Sequence, residues 1–192
     1  MHAMRKRRFS NVIGFDDAPF PRDYQGPVKV VGAVFADRRL DGVLIGAIEK
    51  DGGDAAVKLA QLVETSKFYE HARLIMLQGI TMGGFNVVDV VDLHARLKLP
   101  VLVVARRAPD MAAIRRALEH HLPQGREKWA RIQAAGAMEP AGGVFVQRAG
   151  LTREQASDIL AQWAIHSRIP EPLRCAHLIA GALATGQSRN RP

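Results

Sequence analysis

Cysteine is nearly absent from this 192-residue chain, Cys175 being the single one. That excludes an internal disulfide framework and a thiolate zinc site. Any metal would be held by oxygen or imidazole, the donor set of a hard ion such as Mg²⁺ or Mn²⁺. No apolar run approaches the ~18 residues that a membrane-spanning helix needs, and no apolar signal core follows the N-terminal charges. The expected setting is the cytoplasm, with no membrane partner. Acidic residues are also in deficit: 19 Asp and Glu face 27 Lys and Arg, a net charge of +8. That excess suits a polyanionic partner, nucleic acid first; the alternative is a solvated basic surface. Hydrophobic residues at 47% and charged residues at 24% argue against wholesale disorder, and the length fits one ordinary domain with a real core.

The chain reads as a basic arm over residues 1–9, carrying Arg5-Lys6-Arg7-Arg8, a single domain over residues 10–186, and a polar tail over residues 187–192. Asn11 to Phe15 is the first apolar run; it ends in Asp16-Asp17, and Ala18-Pro19-Phe20-Pro21 stops it. Lys29 to Ala36 and Gly42 to Ile48 read as strands rich in β-branched residues, joined closely enough to pair antiparallel. The period then changes. Asp54 is placed to cap a helix whose apolar residues are Val57, Leu59, Ala60, Leu62 and Val63. Arg73 to Leu77 and Val101 to Ala105 read as buried central strands. Helices are expected over Val87 to Leu97, with Asn86 as a possible cap, then over Met111 to His121 and Arg126 to Ala135. Val144 to Gln147 reads as a short strand. The capping pattern Thr152-Arg153-Glu154-Gln155 opens a helix over 153–165, and Pro170 and Pro172 open a last one near 172–184. Three strands followed by helix–strand alternation predict an α/β ribonuclease-H-like mixed sheet with helices on both faces. A dinucleotide-binding fold would instead show a glycine-rich turn after its first strand.

Several residues could carry chemistry. A carboxylate at a central strand tip is costly to bury unless paired or bound to a cation, and carboxylates from separate strands can converge on metal ions that activate water. Alternation puts Asp16 on the face of Val12 and Asp17 on the other; one can serve a site while the other ties the turn. Glu49 and Asp51 share parity beyond the third strand, whereas Asp41 and Asp54 read as turn and cap residues. Gln78 shares a face with Leu74 and Met76, at a position where a metal nuclease of this topology would carry an acid; its neutral oxygen binds a cation only weakly. Arg106 and Arg107 follow the fifth strand, where an arginine can hold a phosphate by two parallel hydrogen bonds, or simply be surface charge. His177 lies on the last helix. His71, His94, His120, His121 and His166 show no ligand spacing. Phe20, Tyr24 and Phe85 are possible stacking groups for an extruded base, Phe85 more readily a core residue.

Together these pieces resemble a known family. Gly14-Phe15-Asp16-Asp17-Ala18-Pro19-Phe20 is similar to the first-strand signature of the archaeal endonuclease dU proteins, relatives of endonuclease V. Leu40-Asp41-Gly42-Val43, Asp51-Gly52-Gly53-Asp54-Ala55, the run from Gly79 to Asp89 (GITMGGFNVVD) and Ile169-Pro170-Glu171-Pro172-Leu173-Arg174-Cys175-Ala176-His177 extend the likeness over about residues 10–186. The resemblance implies a ribonuclease-H-like fold and Mg²⁺- or Mn²⁺-dependent cleavage of nucleic acid near a deaminated base of deoxyuridine or inosine type, with DNA ahead of RNA as the partner and repair as the setting. It makes Asp16 the first-strand metal ligand, Asp51 or Glu49 the third-strand acid, His177 the residue that completes the site, and Arg106, with Arg107 and Arg174, the contacts to nucleic acid. One departure matters. The family pattern has Asp where this chain has Gln78, so the site loses about one charge. Either another acid substitutes, or the protein binds nucleic acid and cuts it weakly or not at all.

Overall fold

The computed structural model describes residues 9–188; the basic run Arg5–Arg8 and the end of the polar tail lie outside them. The elements run β1 (Asn11–Asp17), β2 (Val28–Ala36), β3 (Arg39–Ile48), α1 (Ala55–Glu64), β4 (Leu74–Gln78), β5 (Thr81–Met82), β6 (Asn86–Val87), α2 (Val90–Leu97), β7 (Val101–Ala105), α3 (Met111–His121), α4 (Gly125–Ala134), β8 (Glu139–Ala141), β9 (Val144–Ala149), α5 (Arg153–Trp163) and α6 (Glu171–Thr185). Seven strands make one sheet in the order β3-β2-β1-β4-β7-β9-β8. β1, β2 and β3 pair antiparallel, β1, β4 and β7 run parallel, and β9 returns antiparallel beside β7. This is the ribonuclease-H-like mixed sheet that the element order predicts.

Parity explains the two cores. Ile13, Phe15, Ile75, Leu77, Val101 and Val103 face α1, α2, α3 and α4. Val12, Leu74, Met76, Leu102 and Val104 face α5 and α6. The central strands are thus buried on both sides, which is why they read as unbroken apolar runs. The helix α6 lies directly on β1 at Gly14: a Cβ there would sit 2.6 Å from the carbonyl carbon of Pro172. Only glycine permits so close an approach.

Two local expectations change. Gly83 and Gly84 take positive φ, 56° and 84°, and turn the chain into the β5–β6 hairpin. This hairpin absorbs Asn86 and Val87, so α2 starts later, with Asp89 accepting from the Asp92 N–H as its cap. Asn86 instead caps a different helix, its side-chain oxygen accepting from the Ala55 N–H at the start of α1. Asp54 occupies the N-cap position of α1, yet its carboxylate accepts from the Glu49 N–H and the Asn86 amide rather than from its own first turn.

Candidate active site at the tips of the central strands

Asp16 is the penultimate residue of β1 and only 5% exposed. Its Oδ2 lies 2.8 Å from Nδ1 of His177, and its Oδ1 accepts from the Asp17 N–H at 2.9 Å. The histidine reaches it because Pro172 starts α6 against Gly14, so that the helix advances along β1 toward its tip. The hydrogen bond to Asp16 raises the His177 pKa above its ordinary value; burial and the nearby Arg106 charge oppose that. The shift is toward the charged form, and the contact sets Nδ1 against the carboxylate.

Gln78 ends the neighbouring strand. Phe15 pairs with Leu77 in the parallel register, which sets Gln78 beside Asp16 on the same face, about one strand spacing (~4.8 Å) away. Its Oε1 is buried and has no hydrogen-bond partner. Leaving such an acceptor unpaired costs about 1–3 kcal/mol, unless a ligand supplies the missing donor or cation. On β7, Val104 pairs with Gln78. Arg106 follows two residues later, exposed, and close enough to influence the charge of His177. Asp16, Gln78, His177 and Arg106 thus come together at one end of the sheet, on the α6 side.

Other candidates lie elsewhere. Arg174 is committed to Glu171 by a two-pronged ion pair, with contacts of 2.8 and 2.6 Å, that holds the Glu171 carboxyl below the usual range. Arg107 is exposed beyond the end of β7. Glu49 is exposed just past the end of β3 and donates its N–H to Asp54. Asp51 sits in the left-handed region at φ 52°; its Oδ1 accepts from the Phe85 N–H at 2.8 Å, and its own N–H donates to the Gly83 carbonyl. Gly83 in turn donates to Oδ2 of Asp17 at 2.8 Å. Asp51 therefore belongs with Asp17, on the opposite face of β1 from Asp16. Among the described residues no three His, Cys, Asp or Glu side chains form a group that could hold a metal. The structure does not bring Glu49 or Asp51 to Asp16 and His177. The reason is geometric: parity reasoning applies within a strand, and the chain leaves β3 at Ile48 for a tight turn.

On that opposite face, burial first and the Asp16 charge second push the Asp17 carboxyl up to about 6. Lys128, 2% exposed, donates its ammonium to the Asp51 carbonyl, and burial lowers its pKa. Sequence reasoning missed Lys128 and the structural duty of Asn86. A lysine in an amphipathic helix carries no mark of burial, so only packing reveals it. Of the aromatic candidates, Phe20 and Tyr24 lie 6.2 Å apart, with the Lys50 ammonium 5.7 Å from the Phe20 ring, while Phe85 packs on the larger core.

The donor set on the α6 side can be weighed against a divalent cation. Magnesium keeps several waters and is commonly held by one or two carboxylates together with substrate phosphates. The Asp16 carboxylate and the orphaned Gln78 oxygen fit that pattern at its weak limit, with a single formal negative charge.

The family described as Endonuclease dU matches residues 8–184. A UPF0215 protein of Deinococcus radiodurans is 51% identical over 181 residues, covering 94% of this chain and 92% of that one. A UPF0215 protein of Methanothermobacter thermautotrophicus is 42% identical over 182 residues, covering 93% and 89%. A crystal structure from Archaeoglobus fulgidus superposes with a TM-score of 0.84 at 36% identity, over 90% of this chain and 97% of that one. Ciona intestinalis endonuclease V, in complex with DNA containing an inosine followed by a ribo-adenosine, superposes with a TM-score of 0.55 at 15% identity, over 87% and 82%, which is a likeness of fold. Among the described residues no helix is long and apolar enough to cross a membrane.

Proposed function

The chain belongs to the endonuclease dU family, and from that premise we propose that it is a metal-dependent endonuclease cutting nucleic acid beside a deaminated base, held to a low rate by Gln78. The observation that carries this reading is the contact between Asp16 and His177 across 161 residues of sequence, beside a buried amide oxygen with no partner. The inosine-containing DNA bound by the Ciona intestinalis enzyme, on a similar fold, and the +8 charge of this chain support a nucleic-acid substrate, DNA ahead of RNA.

Asp16 and Gln78 would hold the cation, which when bound would lower the pKa of water and stabilise charge on the phosphodiester. The protein's own groups have separate tasks. His177 fixes the Asp16 carboxylate through Nδ1 and, as an imidazolium, leaves its Nε2–H to donate to a phosphate or leaving-group oxygen. Arg106 supplies a planar donor fork for the adjacent phosphate. Burial of Asp16 keeps water from competing with these contacts.

A second reading is that the protein binds nucleic acid without efficient cleavage, favoured by the neutral Gln78 where an acid would complete the donor set. One assay separates the two: uracil- and hypoxanthine-containing DNA and RNA, incubated with Mg²⁺ or Mn²⁺ and wild type, Asp16→Asn or Gln78→Asp. The nuclease reading expects weak wild-type product, none from Asp16→Asn, and a gain of one or more orders of magnitude from Gln78→Asp. Absence of product from both wild type and Gln78→Asp would refute it.

A further inference from the structure

At the far end of the sheet from Asp16, the starts of β1, β4 and β7 and the end of β9 surround a cavity of about 600 Å³. The strand β1 separates the two ends by about 17 Å, five residues at ~3.3 Å each. Arg73, Lys98 and His71 line the cavity, and among the described residues no carboxylate does. Among the described residues neither Arg73 nor Lys98 has an acidic partner: the Arg73 Nη1 donates to the carbonyls of Glu70 and Ala72, and its other N–H groups make no bond to those residues.

The neutral side chains in the wall point to the same chemistry. The Gln155 Oε1 is occupied by the Thr152 N–H, and the Asn11 Oδ1 by the Ser10 hydroxyl. Each oxygen thus has one bond already, while both N–H₂ groups make no bond to the described residues. Leu99, another wall residue, has its carbonyl taken by the His94 ring. Several acceptors are engaged internally while donors and positive charge remain, a wall suited to an anion.

The cavity is far larger than a phosphate and of the size that holds a small organic ligand. Phe9 is part of the wall, half-buried against the α5–α6 core, and its backbone is fixed because its carbonyl accepts from both Gln162 Nε2 at 3.0 Å and Trp163 Nε1 at 3.2 Å. Gly150 keeps the β9 side of the wall bare, as a Cβ there would meet the His94 ring at 2.4 Å. We propose that this cavity is a second ligand site that binds a nucleoside phosphate, the phosphate on Arg73 and Lys98 and the base against Phe9. The phosphate can come from a free nucleotide or from one unit of a bound strand. The site stands independently of the nuclease reading.

The test is metal-free calorimetric titration of the full chain with dAMP, followed by competition from a single-stranded 12-mer. Lys98→Asn suits it, because Lys98 lies at φ 54°, a conformation that asparagine tolerates better than most residues. Lys98→Asn and Arg73→Gln should each weaken dAMP binding about tenfold, the loss of one charge-assisted hydrogen bond. Asp16→Asn should leave dAMP binding unchanged. Displacement of dAMP by the 12-mer, with strand affinity also reduced in Lys98→Asn, assigns the site to a strand; saturable dAMP binding that the 12-mer does not displace assigns it to the free nucleotide. No dAMP binding by the wild type, or binding indifferent to both substitutions, overturns the proposal.

Discussion

Replacing Gln78 by aspartate would set a second carboxylate beside Asp16 on adjacent parallel strands. At ~5 Å and an effective dielectric constant near 20, two such charges repel by about 3 kcal/mol. The His177 ring, hydrogen-bonded to Asp16, already offsets part of that carboxylate's charge, so a net loss of about 2 kcal/mol is expected without metal. For a chain of this length each kcal/mol moves the melting temperature by about 2–4 °C, giving a fall of roughly 4–8 °C in chelator. A cation held between two carboxylates reverses the sign: at 100 times Kd it adds about 2.7 kcal/mol to the folded state. The Gln78→Asp protein should therefore melt below wild type in EDTA and at or above it in Mn²⁺, while wild type shifts little. Circular dichroism melts of both proteins, with and without Mn²⁺, measure this directly. Equal melting temperatures in EDTA, together with no extra response to Mn²⁺, would mean that positions 16 and 78 do not share a site.

Asp17 carries the pH dependence. Its folded-state pKa of about 6 lies above the ordinary 3.8, so folding penalises the ionised form: the penalty is absent below pH 4, grows between pH 4 and 6, and is complete above. Asp17→Asn keeps an acceptor for the Gly83 N–H and should stabilise the chain by up to roughly 3 kcal/mol at pH 8 and negligibly at pH 4, read from chelator-treated melts across that range. Asn86 is fully buried and makes three hydrogen bonds, to Glu49, Asp54 and Ala55; Asn86→Ala should cost about 2–4 kcal/mol in urea unfolding. Arg106→Gln should lower the salt slope of nucleic-acid binding by about one, whereas Arg174→Gln, which removes an arginine already paired with Glu171, should leave the slope unchanged in filter-binding titrations.

The parts of the site legible in the sequence are those that depend on regular periodicity. The alternation Val12-Gly14-Asp16 assigns Asp16 a face of its strand and Leu74-Met76-Gln78 assigns Gln78 one of its own; the parallel register of Phe15 with Leu77 makes the two the same. Pro172 opens the last helix early enough to carry His177 to the strand tip. Where periodicity ends, so does legibility. Glu49 and Asp51 share parity on paper, yet the turn after Ile48 and the bonds to Gly83 and Phe85 take Asp51 to the other side. The segment 81–87 reads as the approach to a helix because nothing local distinguishes a hairpin made by two positive-φ glycines. Arg174 reads as a free cation, although Glu171 lies one helical turn before it at i,i+3, a pairing that the spacing already permits.

Two consecutive aspartates at the end of β1 therefore meet opposite fates, and their separation explains how residue 78 can change without losing the fold. Asp17, Gly83, Asp51 and Phe85 form a continuous hydrogen-bonded frame on the α1 side, and Asn86 bonds beside it to Glu49, Asp54 and Ala55. Asp16, Gln78 and His177 lie across the sheet from that frame, and Gln78 makes no side-chain bond that the frame needs. The run from Gly79 to Asp89 thus helps hold the strand tips in place, while the proposed chemistry rests on a few residues facing α6. An acid at position 78 would raise the charge of the site at the expense of apo stability, and an amide does the reverse. Because the frame makes no bond to the Gln78 side chain, a change at this position is expected to alter the proposed activity with little change elsewhere in the molecule.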